Sequence, residues 1–179
     1  MSNLNPLLDR NRSFAGTGAH EGLSPIPRRQ LVIVTCMDGR VDPAHILGVE
    51  LGDALVIRNS GGRVTNDVLQ EIAFVGAVTD MMFSDEAEPF EVAVLHHTGC
   101  GSGFLADPGF RAGLAARTGA DDQALADSAV TDPYESVKRD VEQLIQSPLL
   151  SSRASVSGHV YDVDTGLVTT IVSSTGVSR

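Results

Sequence analysis

From Gln30 onward the chain alternates short apolar runs with amphipathic stretches. Residues 31–35 (Leu-Val-Ile-Val-Thr) are apolar without alternation, the pattern of a strand buried on both faces; residues 54–58 and 91–96 read the same way. Val68, Leu69, Ile72, Val75 and Val78 recur at helical spacing and predict a helix over 65–82, with Thr65 or Asn66 as N-cap and Asp67 in the first turn. Asp132-Pro133 opens a second helix, in which Val137, Val141, Leu144 and Ile145 share a face. Residues 154–161 and 167–173 predict closing strands, joined by a turn at Asp162-Val163-Asp164-Thr165-Gly166. The stretch 101–127 is expected to be mobile, with only short helical turns. Residues 1–29 are rich in Gly, Pro, Asn and Ser and show little sustained periodicity. They predict an amino-terminal arm lying over the domain or over a neighbouring subunit, with Pro25 and Pro27 stiffening the approach to the first strand.

Strands alternating with helices predict an α/β fold, a mainly parallel sheet with helices on both faces. If the second strand lies outside the first and the third returns to its other side, the order is 2-1-3. The crevice between strands one and three is then the switch point at which open α/β sheets bind ligands.

Composition narrows the class. A chain of 179 residues with 42% hydrophobic content suits one domain, expected over residues 30–179. A net charge of −10 disfavours nucleic acid and anionic membrane surfaces as partners. No apolar run has the length of a membrane span, and the first 12 residues carry Asp9, Arg10 and Arg12 in place of a secretory apolar stretch. A cytoplasmic protein is expected. Two cysteines offer no disulfide framework, only a single Cys36–Cys100 pairing, and a cytosolic thiol pair is more often metal-binding or catalytic.

Those cysteines lie where chemistry is expected. Cys36 follows the first apolar run in Cys36-Met37-Asp38-Gly39-Arg40, and His97 and Cys100 follow the third in His97-Thr98-Gly99-Cys100. Two thiolates and one imidazole make a three-ligand set of the kind catalytic zinc uses, with the fourth position open for water or substrate. His96, next to His97 on a strand, faces the opposite way and is assigned a structural role. Asp38 is close enough in sequence to approach the metal, and Arg40 to hold its carboxylate with a planar fork. Two states follow: Asp38 as the fourth zinc ligand, or Asp38 paired with Arg40 and water on the metal, its pKa lowered to about 7. Asn59-Ser60-Gly61-Gly62 supplies backbone freedom for shaping a pocket or a close chain approach, and lacks the spacing of a phosphate loop.

Cys36-x-Asp38-x-Arg40, Arg58-Asn59-x-Gly61 and His97-x-x-Cys100-Gly101 together resemble the β-class carbonic anhydrase family, firmly over residues 31–105. The resemblance implies a four-stranded parallel sheet of order 2-1-3-4 with an antiparallel fifth edge strand. It implies a zinc lyase that hydrates carbon dioxide to bicarbonate, built as a homodimer or a multiple of dimers. Cys36, His97 and Cys100 are then the zinc ligands, with Asp38 and Arg40 the gating dyad. Leu23 stands in the segment where many plant-type members carry a substrate-binding Gln, and Gly39 where Ser is common. Both features resemble a smaller subgroup that includes bacterial carbonic anhydrases and carbonyl sulfide and carbon disulfide hydrolases. The alternatives are such a hydrolase, a closed non-enzymatic zinc protein, and a redox dithiol protein.

Overall fold

The computed structural model describes residues 2–82 and 90–177. Five strands form one sheet: β1 (Leu31–Cys36), β2 (Ala54–Asn59), β3 (Glu91–His97), β4 (Ser155–Tyr161) and β5 (Val168–Gly176), in the order β2-β1-β3-β4-β5. The first four are mutually parallel where they pair, and β5 runs antiparallel to β4 as the expected hairpin partner. Registers such as Cys36↔Asn59 and His97↔Tyr161 bring the carboxyl ends of the parallel strands to one edge.

Valines build the main core. Val32, Val34, Val92, Val94, Val156 and Val160 line one sheet face, against Val68 and Ile72 of α3 (Asn66–Met82) and Val137, Val141 and Leu144 of α6 (Pro133–Gln146). Each such side chain, fully buried, contributes about 1.5–3 kcal/mol. The opposite face is thinner. Ile33, Val41 and Leu95 are buried there, partly covered by Ile46 of the one-turn helix α2 (Pro43–Ile46) and by Val49.

Capping residues set the helix starts. Asp132 accepts from the amides of Tyr134 and Glu135 with Pro133 in the first turn, and the Thr65 hydroxyl accepts from Val68. The stretch 101–127 is more helical than expected. After a 3-10 turn at Gly101–Ala106 come α4 (Pro108–Thr118) and α5 (Asp122–Asp127), capped by Asp107 and Asp121. Asp107-Pro108 and Gly119, the latter left-handed at φ 72°, are the start and stop signals that periodicity alone did not reveal.

The amino-terminal segment also differs from expectation. Residues 5–15 form helix α1 (Asn5–Ala15), none of whose residues is buried. Leu4, Leu7 and Leu8 are 55%, 50% and 43% exposed, a short apolar stripe at helical spacing left largely uncovered among the described residues. The remainder of the arm is tied down. Arg28 and Arg29 both reach the buried Asp53 carboxylate, at 2.9 and 3.4 Å, just before β1 begins.

Gly158 marks the tightest contact between β4 and α6. A Cβ there would lie 2.9 Å from Val141 Cγ2 and 3.2 Å from Val137 Cγ2. Gly158→Val is expected to destabilise the fold by about 1–3 kcal/mol through overpacking. Urea unfolding checks this, and an unchanged midpoint would show that α6 yields at no cost.

Candidate metal centre

Cys36 and His97 are the last residues of the adjacent parallel strands β1 and β3, so the sheet brings both to the same edge. Cys100 returns to the same place through a turn at Gly99, whose φ of 62° favours glycine. One ligand atom from each of Cys36, His97 and Cys100 lies within 4.8 Å of the others, and the two sulfurs are 3.8 Å apart with no disulfide. His97 Nδ1 lies 2.9 Å from the Thr98 carbonyl, which places the ring proton on Nδ1 and leaves the Nε2 lone pair available. That Nε2 is buried and has no hydrogen-bond partner.

This arrangement fits a zinc ion. A tetrahedral centre with Zn–S bonds of about 2.3 Å has an S···S edge of about 3.8 Å. A buried lone pair beside two thiols is the unsatisfied acceptor that a cation completes. Donors also approach both sulfurs. Cys36 Sγ accepts from the Asp38 amide at 3.4 Å. Cys100 Sγ lies 3.2 Å from the Ser102 hydroxyl. Between themselves the sulfurs share a proton. The bond to Cys100, then burial, push the Cys36 thiol up; the bond from Cys36, helped by the Ser102 hydroxyl against burial, brings the Cys100 thiol down.

Asp38 stands apart from the three ligand candidates, in the open arrangement of the two anticipated from sequence. Arg40 Nε donates to Oδ1 at 3.0 Å and Nη2 to Oδ2 at 2.7 Å, while the Arg40 amide donates to Oδ1 at 2.9 Å. The Arg40 side chain, chiefly, holds this carboxyl well below the usual carboxylate range, against a smaller opposing effect of burial. A further bond from Arg40 to the Gly99 carbonyl, 3.0 Å, ties the dyad to the His97–Cys100 turn.

Arg58 fixes the intervening loop by donating to the carbonyls of Cys36 (3.0 Å) and Asp38 (2.7 Å) and to the Asp42 carboxylate (3.1 Å). The glycine-rich turn after β2 provides the close chain approach its composition suggested. At Gly62, with φ 67°, a Cβ would lie 2.8 Å from the Cys36 nitrogen, so only glycine lets this turn pack under the ligand-bearing strand end.

Beneath the site lies a buried ionic network that sequence reasoning missed. Asp140 on α6 is 0% exposed and accepts from Arg63 Nε and Nη2 at 2.9 Å each, from the Val64 amide at 3.2 Å, and bonds His96 Nε2 at 3.0 Å. His96 thus points away from the cluster, as its strand position requires. Arg63 in turn exchanges two backbone bonds with the Asn59 side chain, 2.7 and 2.8 Å, closing the glycine turn. The signal was a carboxylate between Val137, Val141 and Leu144 on an apolar helix face, which demands a buried partner. Ser102 carried no comparable signal.

The family model for carbonic anhydrase matches residues 31–106. β-Carbonic anhydrase 1 of Mycobacterium tuberculosis is 31% identical over 140 residues, covering 78% of this chain and 80% of that protein. A carbon disulfide hydrolase of Acidianus is 28% identical over 160 residues, covering 76% and 74%. Among solved structures, carbonic anhydrase from Streptococcus mutans superposes with a TM-score of 0.77 at 34% identity, over 96% of this chain and 98% of that one.

Burial works to raise the Asp140 pKa, but the bonds from His96 and Arg63 prevail and hold it below its ordinary value. Such a depressed group stabilises the fold fully above the unfolded-state value of about 4, and that contribution is lost as pH falls through the folded value. Asp140→Asn, which strands Arg63 without its counter-charge, is expected to cost about 3–5 kcal/mol at neutral pH. Denaturant titrations at several pH values should show that gap narrowing in acid; a gap independent of pH would refute the assignment.

Proposed function

The chain belongs to the β-carbonic anhydrase family, a family of lyases, and from that premise we propose that it hydrates carbon dioxide reversibly to bicarbonate and a proton, at zinc held by Cys36, His97 and Cys100. The observation that carries this reading is the unpartnered His97 Nε2 beside two thiols 3.8 Å apart. Zinc bound by three protein ligands lowers the pKa of water at its fourth position to about 7 and so supplies a nucleophile near neutrality.

The protein residues do the rest by position. Arg40 keeps the Asp38 carboxylate ionised and drawn away from the ligand cluster, so the fourth position stays free for water. From there Asp38 acts as a hydrogen-bond acceptor that orients the attacking water, without itself serving as the proton carrier. Arg58 holds the loop that carries both residues in register with Cys36. In the absence of Arg40, Asp38 turns inward and closes the site.

A second reading keeps the same residues and changes the substrate. Carbon disulfide hydrolases are among the relatives at 28% identity, and carbon disulfide and carbonyl sulfide are linear, apolar molecules like carbon dioxide. The two readings part on product: hydrogen sulfide from the sulfur substrates, bicarbonate from carbon dioxide.

We also propose a cytoplasmic homodimer, or an assembly of dimers, in which residues 30–179 form the zinc domain and residues 1–29 an arm reaching the second copy. The support is apolar surface left uncovered in one chain. Leu4, Leu7 and Leu8 of the α1 region are exposed, as are Val56 on edge strand β2 and Phe74 on α3.

Stopped-flow assays on zinc-quantified protein are expected to show rapid carbon dioxide hydration; no turnover, with hydrogen sulfide released from carbon disulfide, would favour the second reading. Arg40→Ala is expected to lose about 10- to 100-fold in rate, the worth of a charge-assisted bond of about 1.5–3 kcal/mol, with zinc content unchanged. Unimpaired kinetics would sink the gating role. Deleting residues 1–16 is expected to weaken self-association in sedimentation velocity, and an unaltered dimer would remove the arm from the interface.

A further inference from the structure

We propose that Ser102 is a positioning residue for the metal centre, acting through Cys100 by donating a hydrogen bond to its sulfur. This rests on the zinc reading above. The Ser102 hydroxyl lies 3.2 Å from Cys100 Sγ, and among the described residues this is its only side-chain hydrogen bond. A metal-bound thiolate has no proton to give, so the hydroxyl must be the donor.

The fold makes room for this bond. A Cβ on Gly61 would sit 2.9 Å from Ser102 Oγ, and Gly61 has a φ of 83°, so the residue beside the hydroxyl is one whose backbone also favours glycine. Gly61 and Gly62 therefore serve two different contacts: Gly62 admits the Cys36 backbone, and Gly61 admits the Ser102 hydroxyl. The two sulfurs consequently differ. Cys36 Sγ accepts from the backbone amide of Asp38, whereas Cys100 Sγ faces a side-chain hydroxyl.

A hydrogen bond to a thiolate draws charge from sulfur, so less is donated to the metal and the metal remains the stronger Lewis acid. It also stabilises the anionic ligand against its protonated form, which favours metal binding at neutral pH. Ser102 thus touches neither metal nor substrate, and its influence passes through one sulfur.

Cobalt(II) in place of zinc reports on this directly, because its sulfur-to-metal charge-transfer band follows the energy of the sulfur lone pair. In Ser102→Ala the band is expected to move to longer wavelength, and chelator competition to give zinc affinity about tenfold weaker. Ser102→Thr, which restores a hydroxyl, is expected to return both toward the parent values. A band unmoved in Ser102→Ala would overturn the role of Ser102 while leaving the metal centre intact. Absence of any such band in the unsubstituted protein would overturn the metal reading, and this one with it.

Discussion

A carboxylate removed entirely from water is the constraint on which this structure turns. Asp140 sits on the apolar face of α6 among valines and a leucine, where an unpaired charge would cost several kcal/mol. It is tolerated because Arg63, His96 and the Val64 amide surround it. These partners come from two separate segments: the turn joining β2 to α3, which supplies Arg63 and Val64, and the end of β3, which supplies His96. Satisfying one buried charge therefore locks the helix layer to the sheet edge that carries the cysteines and His97. A single apolar residue at this position would fill the space without specifying where those elements meet.

The site inherits its geometry from that lock. Parallel strands deliver Cys36 and His97 to one edge, yet an edge alone leaves their distance loose. The glycine turn closes it. Arg63 anchors the turn through Asn59, Gly62 slips beneath the Cys36 backbone, and Gly61 leaves room for the Ser102 hydroxyl. On the other side Arg58 and Arg40 hold the 36–42 loop by its carbonyls and by Asp38. Rigid backbone on both sides holds three ligating side chains close together, and such preorganisation lowers the ordering cost of binding a metal.

Charge is partitioned between two layers. The outer pair, Asp38 and Arg40, is partly exposed and can exchange partners at modest cost; the inner group, Asp140 with Arg63 and His96, is buried and fixed. Partner exchange is open to the first kind of pair and closed to the second. The adjacent histidines express the same division. His97 presents an unpaired nitrogen toward the surface chemistry, while His96, one residue earlier and on the opposite face, is spent on the scaffold.

The chain's own pattern was enough for the strands, the two main helices and the ligand candidates, while the full strand order came mainly from the family resemblance. Strand and helix periods differ, and strand-end cysteines and histidine are chemically conspicuous. The motif at Cys36, Asp38 and Arg40 was legible for the same reason, since its parts are two residues apart and the bidentate bond is local. Helices α4 and α5 were legible in principle from Asp107, Asp121 and Gly119, although their weak apolar faces hid them. Helix α1 was hidden likewise, because its stripe of three leucines is left largely uncovered among the described residues. What only the tertiary structure decided was which distant residues share a charge or a contact: Asp140 with Arg63 and His96, Ser102 with Cys100, Gly62 with Cys36. These pairings depend on strand register, which shifts by whole residues, and on how close two backbones come, and no local propensity encodes either.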